Sequence, residues 1–537
     1  MRYARPFRIT RRCVGLFAIA SGVLAAAAAA MAQTLPWWDG ERPGPQARIA
    51  AQLLADAASH GLDPRDYDAA ALQRTLAQAA EGPALARDAA LRLQEALDAA
   101  MVRYLQDLHD GRATPSQIHH RYKPQSPRAD FDAAGALRRA LAMQEVEHAA
   151  RQATPPLLQY ERLREALARY RALGDHPAWQ TSLPPLPRPP RSPTRKLEPG
   201  QGWVGVGLLA ERLAVLGDLP AADATRHDAP YDGALVAAVR GFQQRHGLDP
   251  DGVIGAATWA ALQVPPAHRV RQLELMLERL RWTPLRRGSR MIVVNIPEFV
   301  LRAYDVQDDQ IAVRLESKVI VGQALDTRTP LIEEDLRFIE FQPYWNVPPS
   351  IARKELVPRL RRDPGHWQRE GFEFVGRGAG GGTDPVLSDA KLQAVLDGAL
   401  RIRQRPGPRN ALGDIKFVFP NQESIYLHHT PSVELFGRAR RDFSHGCIRV
   451  EKPVALAAFA LQDHPDWTEE RIRAAMTRDE PSTVRLMRPV PVLIAYGTAL
   501  VKGGQVHFFE DLYGHDRALD KALRQPRAPL PSRIAPP

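Results

Sequence analysis

The segment 183–199 carries Pro184, Pro185, Pro187, Pro189, Pro190, Pro193 and Pro199. Proline lacks a backbone N–H and fixes φ, so such a run fits neither a helix interior nor a central strand. It reads as an extended, semi-rigid connector, and it forces the chain to divide. At 537 residues the sequence is also too long for one core, and about three domains are expected.

The two sides of that break differ in composition. Before it, residues 33–182 are rich in Ala, Leu, Arg and Glu, with helical stretches at 85–105 and 156–173. Their apolar stripes predict an all-helical domain with a core of its own. After the connector (183–201), residues 202–265 predict a small helical domain. Val236, Val239 and Phe242 share one helical face, Gly247 sits where a helix should stop, and Asp251-Gly252 marks a turn before Thr258-Trp259. Beyond Arg281 the runs become β-branched and apolar, at 291–296, 300–304 and 318–322, then at 415–419 and 424–428. These predict a β-rich domain over 285–485, followed by C-terminal strands and a tail over 486–537. An insertion at 350–412, helical at 352–360 and 389–400, is expected to form a lid. Its glycine-rich run 376–382 lacks the Gly-Lys-Ser/Thr ending of a phosphate cradle and reads as a loop. The fold class is therefore multidomain α+β.

The first 32 residues stand apart. Arg2, Arg5, Arg8, Arg11 and Arg12 precede an uncharged apolar run from Cys13 to Ala30, and Ala30-Met31-Ala32 offers small residues for cleavage. This pattern predicts a secretory signal peptide, with an uncleaved membrane anchor as the alternative. Removing it lowers the formal charge from +11 to about +6. That excess is spread along the chain. It suits an anionic polymer such as a cell wall, and no nucleic-acid motif accompanies it.

Only two cysteines occur, Cys13 and Cys447. Export would leave Cys447 as the single thiol, with no internal disulfide open to it. It lies in Ser444-His445-Gly446-Cys447-Ile448-Arg449, polar company for an inert core cysteine. If residues 424–428 are extended, Tyr426 and His428 share one face while Ile425, Leu427 and His429 share the buried one. His428, nineteen residues before Cys447, is then the candidate base. A nearby imidazole can take the thiol proton, and the imidazolium formed would lower the thiol pKa and make thiolate available at neutral pH. The pairs His119-His120 and His428-His429 do not build a metal site, because no H-E-x-x-H and no second mature cysteine is present. No metal or cofactor is expected. Ser444 lacks a Gly-x-Ser-x-Gly elbow, which argues against a serine hydrolase.

Two resemblances follow from these runs. F-Q-x-R-H-G-L at 242–248 and D-G-V-I-G-x-x-T-W-x-A-L at 251–262 resemble the peptidoglycan-binding domain found beside wall enzymes. The stretch I-Y-L-H-H-T-P-S-V-E-L-F-G-R-A-R-R-D-F-S-H-G-C-I-R-V at 425–450 resembles the active-site signature of the YkuD-type L,D-transpeptidases. F-Q-P-Y-W-N-V-P-P-S-I-A at 341–352 and P-G-P-R-N-A-L-G at 406–413 resemble the large members that carry a helical scaffold and a lid.

The resemblance implies Cys447 as nucleophile and His428 as base. Tyr426 and the amides near Gly446 would stabilise the oxyanion, with His445 and Ser444 shaping the site. Arg449, Trp345 and Asn346 would bind substrate. Position 429 is His where large members often have Asp, which leaves the partner orienting His428 open between a carbonyl and a side chain. The implied reaction joins two peptidoglycan stems third residue to third through a Cys447 thioester, releasing D-alanine, and the enzyme would be a carbapenem target. A periplasmic location is implied, with stem peptides as donor and acceptor and cell-wall synthases as candidate partners. Nucleic acid is not expected, and membrane contact is expected only through an uncleaved signal segment. A same-fold carboxypeptidase or protein-releasing hydrolase, and a non-catalytic peptidoglycan-binding protein, stay open.

Overall fold

The computed structural model describes residues 35–530, apart from 119–121, 123–129, 189–192, 226–229, 284–287, 308–309, 326 and 377–381. The expected signal segment, the His119-His120 pair and most of the 376–382 glycine run lie outside the described residues.

The first domain is helical because its apolar residues recur every three or four positions. Its principal helices are α1 (Pro45–Ala55), α2 (Ala69–Glu81), α3 (Arg87–Asp110), α4 (Ala133–Met143), α5 (Val146–Ala153) and α6 (Leu158–Leu173). In α3, Leu93, Leu97, Met101, Tyr104 and Leu108 form the buried stripe. Trp37 and Tyr67 complete that core.

The second domain holds α7 (Val206–Val215), α8 (Gly233–Arg245) and α9 (Ala256–Gln263). The proline-rich segment leading into it is more than a spacer. Leu183, Leu186 and Leu197 are buried in this domain's core beside Leu209, Val239 and Phe242. Leu197 and Ile254 also exchange backbone hydrogen bonds at 3.0 Å. Leucines between the prolines anchor the extended chain as a wall of the small domain.

Helix α10 (Pro266–Trp282) then crosses to the first domain. It packs on α6, burying Leu273, Leu277 and Leu280 against Tyr160, Leu163 and Leu167. Its Glu278 ion-pairs with Arg281, both side chains fully buried, and accepts the Ala113 N–H at 2.8 Å from the end of α3. Pairing offsets part of the cost of burying these charges, and removing one partner would strand the other.

The β-rich domain is a closed eight-stranded barrel. Its strands are β1 (Arg290–Asn295), β2 (Val300–Gln307), β3 (Gln310–Ile320), β4 (Ile332–Phe341), β9 (Ile415–Val418), β10 (Leu427–His428), β11 (Ile448–Val450) and β12 (Ser482–Ala495). Around the barrel they run β9, β10, β11, β3, β2, β1, β12, β4. Pairing is antiparallel except for β10 with β11 and β12 with β1, which are parallel. Ile292, Leu301, Leu336, Phe341, Phe417 and Leu427 fill the core. Closure leaves no free sheet edge.

Between β4 and β9 the chain builds a second, smaller body. It contains β5 (Trp345–Asn346), β6 (Phe372–Gly376), β7 (Thr383–Asp384) and β8 (Leu400–Gln404), ordered β5, β8, β6, β7. Against this sheet lie a broken helix, Pro349–Ile351, Ala352–Leu356 in π geometry and Val357–Arg362, and the helix Asp389–Leu396. Trp367, Phe374, Leu360, Leu392 and Ile402 give it a core of its own. The insertion is thus a packed unit with a sheet, which its expected helices did not reveal.

The chain after β12 forms a hairpin, β13 (Ala499–Lys502) and β14 (Gln505–Phe508), and then a helix, His515–Leu523, that the expectation of strands and tail omitted. The hairpin joins the domains. Val501, Val506 and Phe508 pack on α6 and α10. The buried Arg245–Asp218 pair of the small domain reaches the Val506 carbonyl at 3.3 Å. Gly247, at φ +67°, lets the backbone pass so close to Phe509 that a Cβ there would lie 3.2 Å from its ring.

Candidate active site

The barrel register places the reactive groups. Lys416 of β9 pairs with His428 of β10, and His428 pairs with Arg449 of β11. Leu427 and Ile448 point into the core beside them. Alternation therefore puts His428 on the face of the sheet away from that core. Tyr426 shares it, its ring set edge-on to His428 with centroids 5.8 Å apart. The extended run is shorter than expected, however. Ser424 adopts φ +55°, because Asn421 caps the preceding turn, accepting from the N–H groups of Glu423 and Ile425 at 3.1 and 3.0 Å. That left-handed residue turns its carbonyl toward Cys447, whose thiol donates to it at 3.8 Å.

The turn carrying Cys447 is held from three sides. The Ser444 N–H donates to the Val321 carbonyl at 2.9 Å, and the Ser444 carbonyl accepts from Gln323 N–H and Thr327 Oγ1 at 3.0 Å each. Ser444 Oγ donates to the Cys447 carbonyl and accepts from the Gly446 N–H at 3.2 Å. Thr329 Oγ1 donates to the Gly446 carbonyl at 2.7 Å and accepts from Gly322 N–H at 2.9 Å. Tyr513 in turn donates to the Gly322 carbonyl at 2.6 Å. Gly446 itself stands at φ +114°, which a side chain would strain. The Gly446 amide, expected near the oxyanion, is therefore spent on Ser444, while the Tyr426 hydroxyl interacts with the sulfur.

His428 is buried, and its Nδ1 lies 2.5 Å from the His429 carbonyl. The orienting partner left open by the sequence is thus a backbone carbonyl. With Nδ1 carrying the proton, Nε2 is the basic nitrogen. Burial, reinforced by the Arg449 charge, holds the imidazole down to about 3, so it is neutral. Burial likewise pushes the Cys447 thiol up, while the Tyr426 N–H and O–H and the charges of Lys416 and Arg449 pull against it. This differs from the thiolate–imidazolium pair expected from the sequence. Burial of each group favours its neutral form, an uncharged imidazole and a thiol. Among the described residues no hydrogen bond joins His428 to Cys447; Tyr426 is the residue that touches both.

Not all the other expected residues touch this centre: Asn346 makes no contact with Cys447, His428 or Tyr426 among the interactions of the described residues. Trp345 hydrogen-bonds the Tyr426 side chain. Asn346, exposed, pairs through its backbone with Arg403 inside the lid sheet. Arg449 is desolvated, which lowers its pKa, and feels the charges of Cys447 and Glu434. His445 Nε2 meets Glu355 of the lid. His429, beside Asp414 at 3.2 Å, packs over Gly413, where a Cβ would come within 2.7 Å of its ring. Four supporting residues escaped the sequence reading: Lys416, whose Nζ lies 4.6 Å from the Tyr426 ring centroid and 3.0 Å from Glu340, and Thr329, Tyr513 and Glu355. Only Lys416 left a signal, as a charge interrupting an apolar strand. Among the described residues no group of three or more His, Cys, Asp or Glu is arranged to hold a metal ion.

A half-buried cysteine, a neutral histidine held by a backbone carbonyl and a tyrosine hydroxyl at the sulfur form a set suited to acyl transfer. Residues 289–487 match the family described as L,D-transpeptidase catalytic domain, YkuD. Residues 29–167 match "Scaffold domain", and 205–262 match "Putative peptidoglycan binding domain". Over 253 residues, 47% of the chain, the sequence is 33% identical to a Haemophilus influenzae protein named "Putative L,D-transpeptidase". The match spans 49%, about half, of that relative's length. The chain thus carries an L,D-transpeptidase catalytic domain of the YkuD family behind a scaffold domain and a peptidoglycan-binding domain.

Proposed function

We propose that the protein forms third-to-third crosslinks between peptidoglycan stems by two-step acyl transfer. The observation that carries this reading is the Cys447 thiol beside the Tyr426 hydroxyl, with the His428 ring fixed through Nδ1 to the His429 carbonyl. In the first step the sulfur attacks the carbonyl of the third stem residue, and the thiol proton passes to His428 Nε2 as the S–C bond forms. The Tyr426 O–H and the Cys447 N–H donate to the oxyanion. The C–N bond to the terminal D-alanine then breaks, and His428 returns the proton to the leaving amine. In the second step an acceptor amine attacks the thioester, its proton goes through His428 to the departing sulfur, and an amide replaces the thioester.

A neutral resting pair suits this sequence, because the proton moves only when substrate is in place. Arg449 offers a planar fork to a stem carboxylate, and Trp345 and Asn346 present the lid edge to the peptide. The lid keeps water from the thioester, which favours transfer over hydrolysis. Carbapenems acylate the same sulfur. Such a substrate places the protein in the periplasm after signal-peptide removal, where wall synthases supply new stems. Among the described residues no helix is long and apolar enough to cross a membrane.

The test is mass spectrometry of purified disaccharide-tetrapeptide incubated with the mature protein and with Cys447→Ala. A dimer lacking one D-alanine, absent with the variant, is the expected result. Tripeptide alone would make the protein a carboxypeptidase. No turnover with either, and no carbapenem adduct on Cys447, would leave a wall-binding role.

A further inference from the structure

A cleft of about 820 Å³ opens between the peptidoglycan-binding domain and the catalytic barrel. One wall is the turn after α8 and the start of α9, with Leu248, Asp251 and Ala257; the other is the segment before Ser444, with Arg440 and Phe443. Both walls are rigid. The buried Gln243 amide donates to Asp251, the Val253 carbonyl and Thr258 at 2.9, 3.0 and 3.2 Å, and accepts the Gly252 N–H at 2.9 Å. Opposite, the buried Arg441 donates to the carbonyls of Val319, Arg438, Ala439 and Phe299 at 2.6 to 3.2 Å. The docking of Arg245 and Gly247 on the hairpin fixes the distance between the walls. The cleft is preformed, so a ligand entering it need not order the protein.

Its lining is mixed. Phe443 and Leu248 offer apolar faces, while Arg440, its guanidinium spread along Asp442 at 2.7 and 3.0 Å, and Asp251 offer charge-assisted hydrogen bonds. That combination fits a hexopyranose ring, apolar on its faces and hydroxylated at its rim. Position adds the decisive constraint. The Arg441 carbonyl and the Ser444 N–H bond the same residue, Val321, so the wall of the cleft runs straight into the turn of Cys447. The cleft lining stops at Phe443, one residue before that turn, so a polymer bearing both sugars and peptide branches is the kind of ligand that spans the two.

We infer that this interdomain cleft binds the N-acetylhexosamine backbone of a peptidoglycan strand whose stem peptide reaches Cys447; the inference rests on the stem-peptide substrate proposed above. The peptidoglycan-binding domain then contributes half of a shared site with the enzyme, rather than a separate tether.

The experiment titrates chitotetraose, a sugar chain without stems, into the mature full chain and into Ala257→Trp and Arg440→Ala. Ala257 is an exposed position on α9, where the indole would fill the cleft, and Arg440 is an exposed wall residue, so the second variant stands if the first misfolds. Turnover of a sugar-free stem tetrapeptide is measured on the same samples. Chitotetraose binding weakened about tenfold or more in both variants, with tetrapeptide turnover kept, is the expected result. Absence of binding to the unmodified chain, or equal binding by both variants, overturns the proposal. So does a loss of tetrapeptide turnover matching the loss of sugar binding, which would put peptide in the cleft. Failure of the unmodified chain on every stem substrate would instead sink the transpeptidase reading, because the titration scores the cleft without chemistry.

Discussion

His445 Nε2 lies 2.7 Å from Glu355 Oε1, tying the residue two positions before Cys447 to the insertion ninety residues earlier in the chain. Glu355 sits in the π-helical turn Ala352–Leu356, and its carboxylate meets the barrel at His445. Both side chains are partly exposed, so the pair contributes at most about 1 kcal/mol. Glu355→Ala should therefore shift the lid toward opening by about two- to fivefold. Tripeptide should rise relative to crosslinked dimer by a similar factor, and amide exchange in residues 349–376 should quicken. An unchanged product ratio would remove the latch from the mechanism.

Tyr426 touches the Cys447 sulfur, the edge of His428 and the Trp345 side chain. Burial, and after it the neighbouring Cys447, raises its hydroxyl far above the ordinary phenol range, so it keeps a proton to donate while its oxygen accepts from Trp345. Tyr426→Phe keeps the ring packing and removes that donor. We expect kcat to fall by about 10²-fold or more with KM little changed, and iodoacetamide alkylation of Cys447 to slow at neutral pH. Wild-type rates in both assays would contradict an oxyanion role.

Buried histidines, His428 and His60 among them, set an acid limit to stability. His428 is held down to about 3 by burial and the Arg449 charge, and His60 down to about 2 by burial and the charges of Arg164 and Arg281. The unfolded chain binds protons on both as pH falls below the ordinary histidine value of about 6.5, and the folded chain does not. Stability is therefore full above that value and is lost progressively toward the folded values. Near pH 5 each group costs up to about 2 kcal/mol. Urea midpoints should drop between neutral pH and about pH 5, and His428→Gln should shrink that drop.

Alternation along a single strand was enough to put Tyr426 and His428 on one face, because that period is local. The division of the chain was legible from the proline run and from the shift to β-branched residues, although the leucines inside the run were read as linker when they are core. Local reasoning failed at Ser424, where the Asn421 cap overrides extension. It also failed on the ionisation of Cys447 and His428, since burial is a property of the closed barrel. Glu355, Thr329 and Tyr513 reach the site across 90 to 191 residues of chain, and no spacing rule reports such contacts.

Thr329 is the test of how Cys447 is held. Its hydroxyl sits between the Gly322 N–H and the Gly446 carbonyl, and its own N–H meets Tyr513, which bonds the Gly322 carbonyl. Thr329 is buried, so no water can replace the hydroxyl. Thr329→Val preserves shape but leaves one donor and one acceptor unpaired, at about 1–3 kcal/mol for each. The turn would relieve that cost by rotating Gly446, displacing Cys447 from the Tyr426 hydroxyl and from His428. A displacement of about 1 Å is enough to lower kcat by about 10²-fold. Thr329→Ser restores the hydroxyl without the methyl and should recover most of the rate, while Tyr513→Phe, one bond further out, should give a smaller loss. If Thr329→Val lost stability but kept kcat, the hydroxyl would serve the fold alone, and the placement of Cys447 would rest on Ser444 and the strand register.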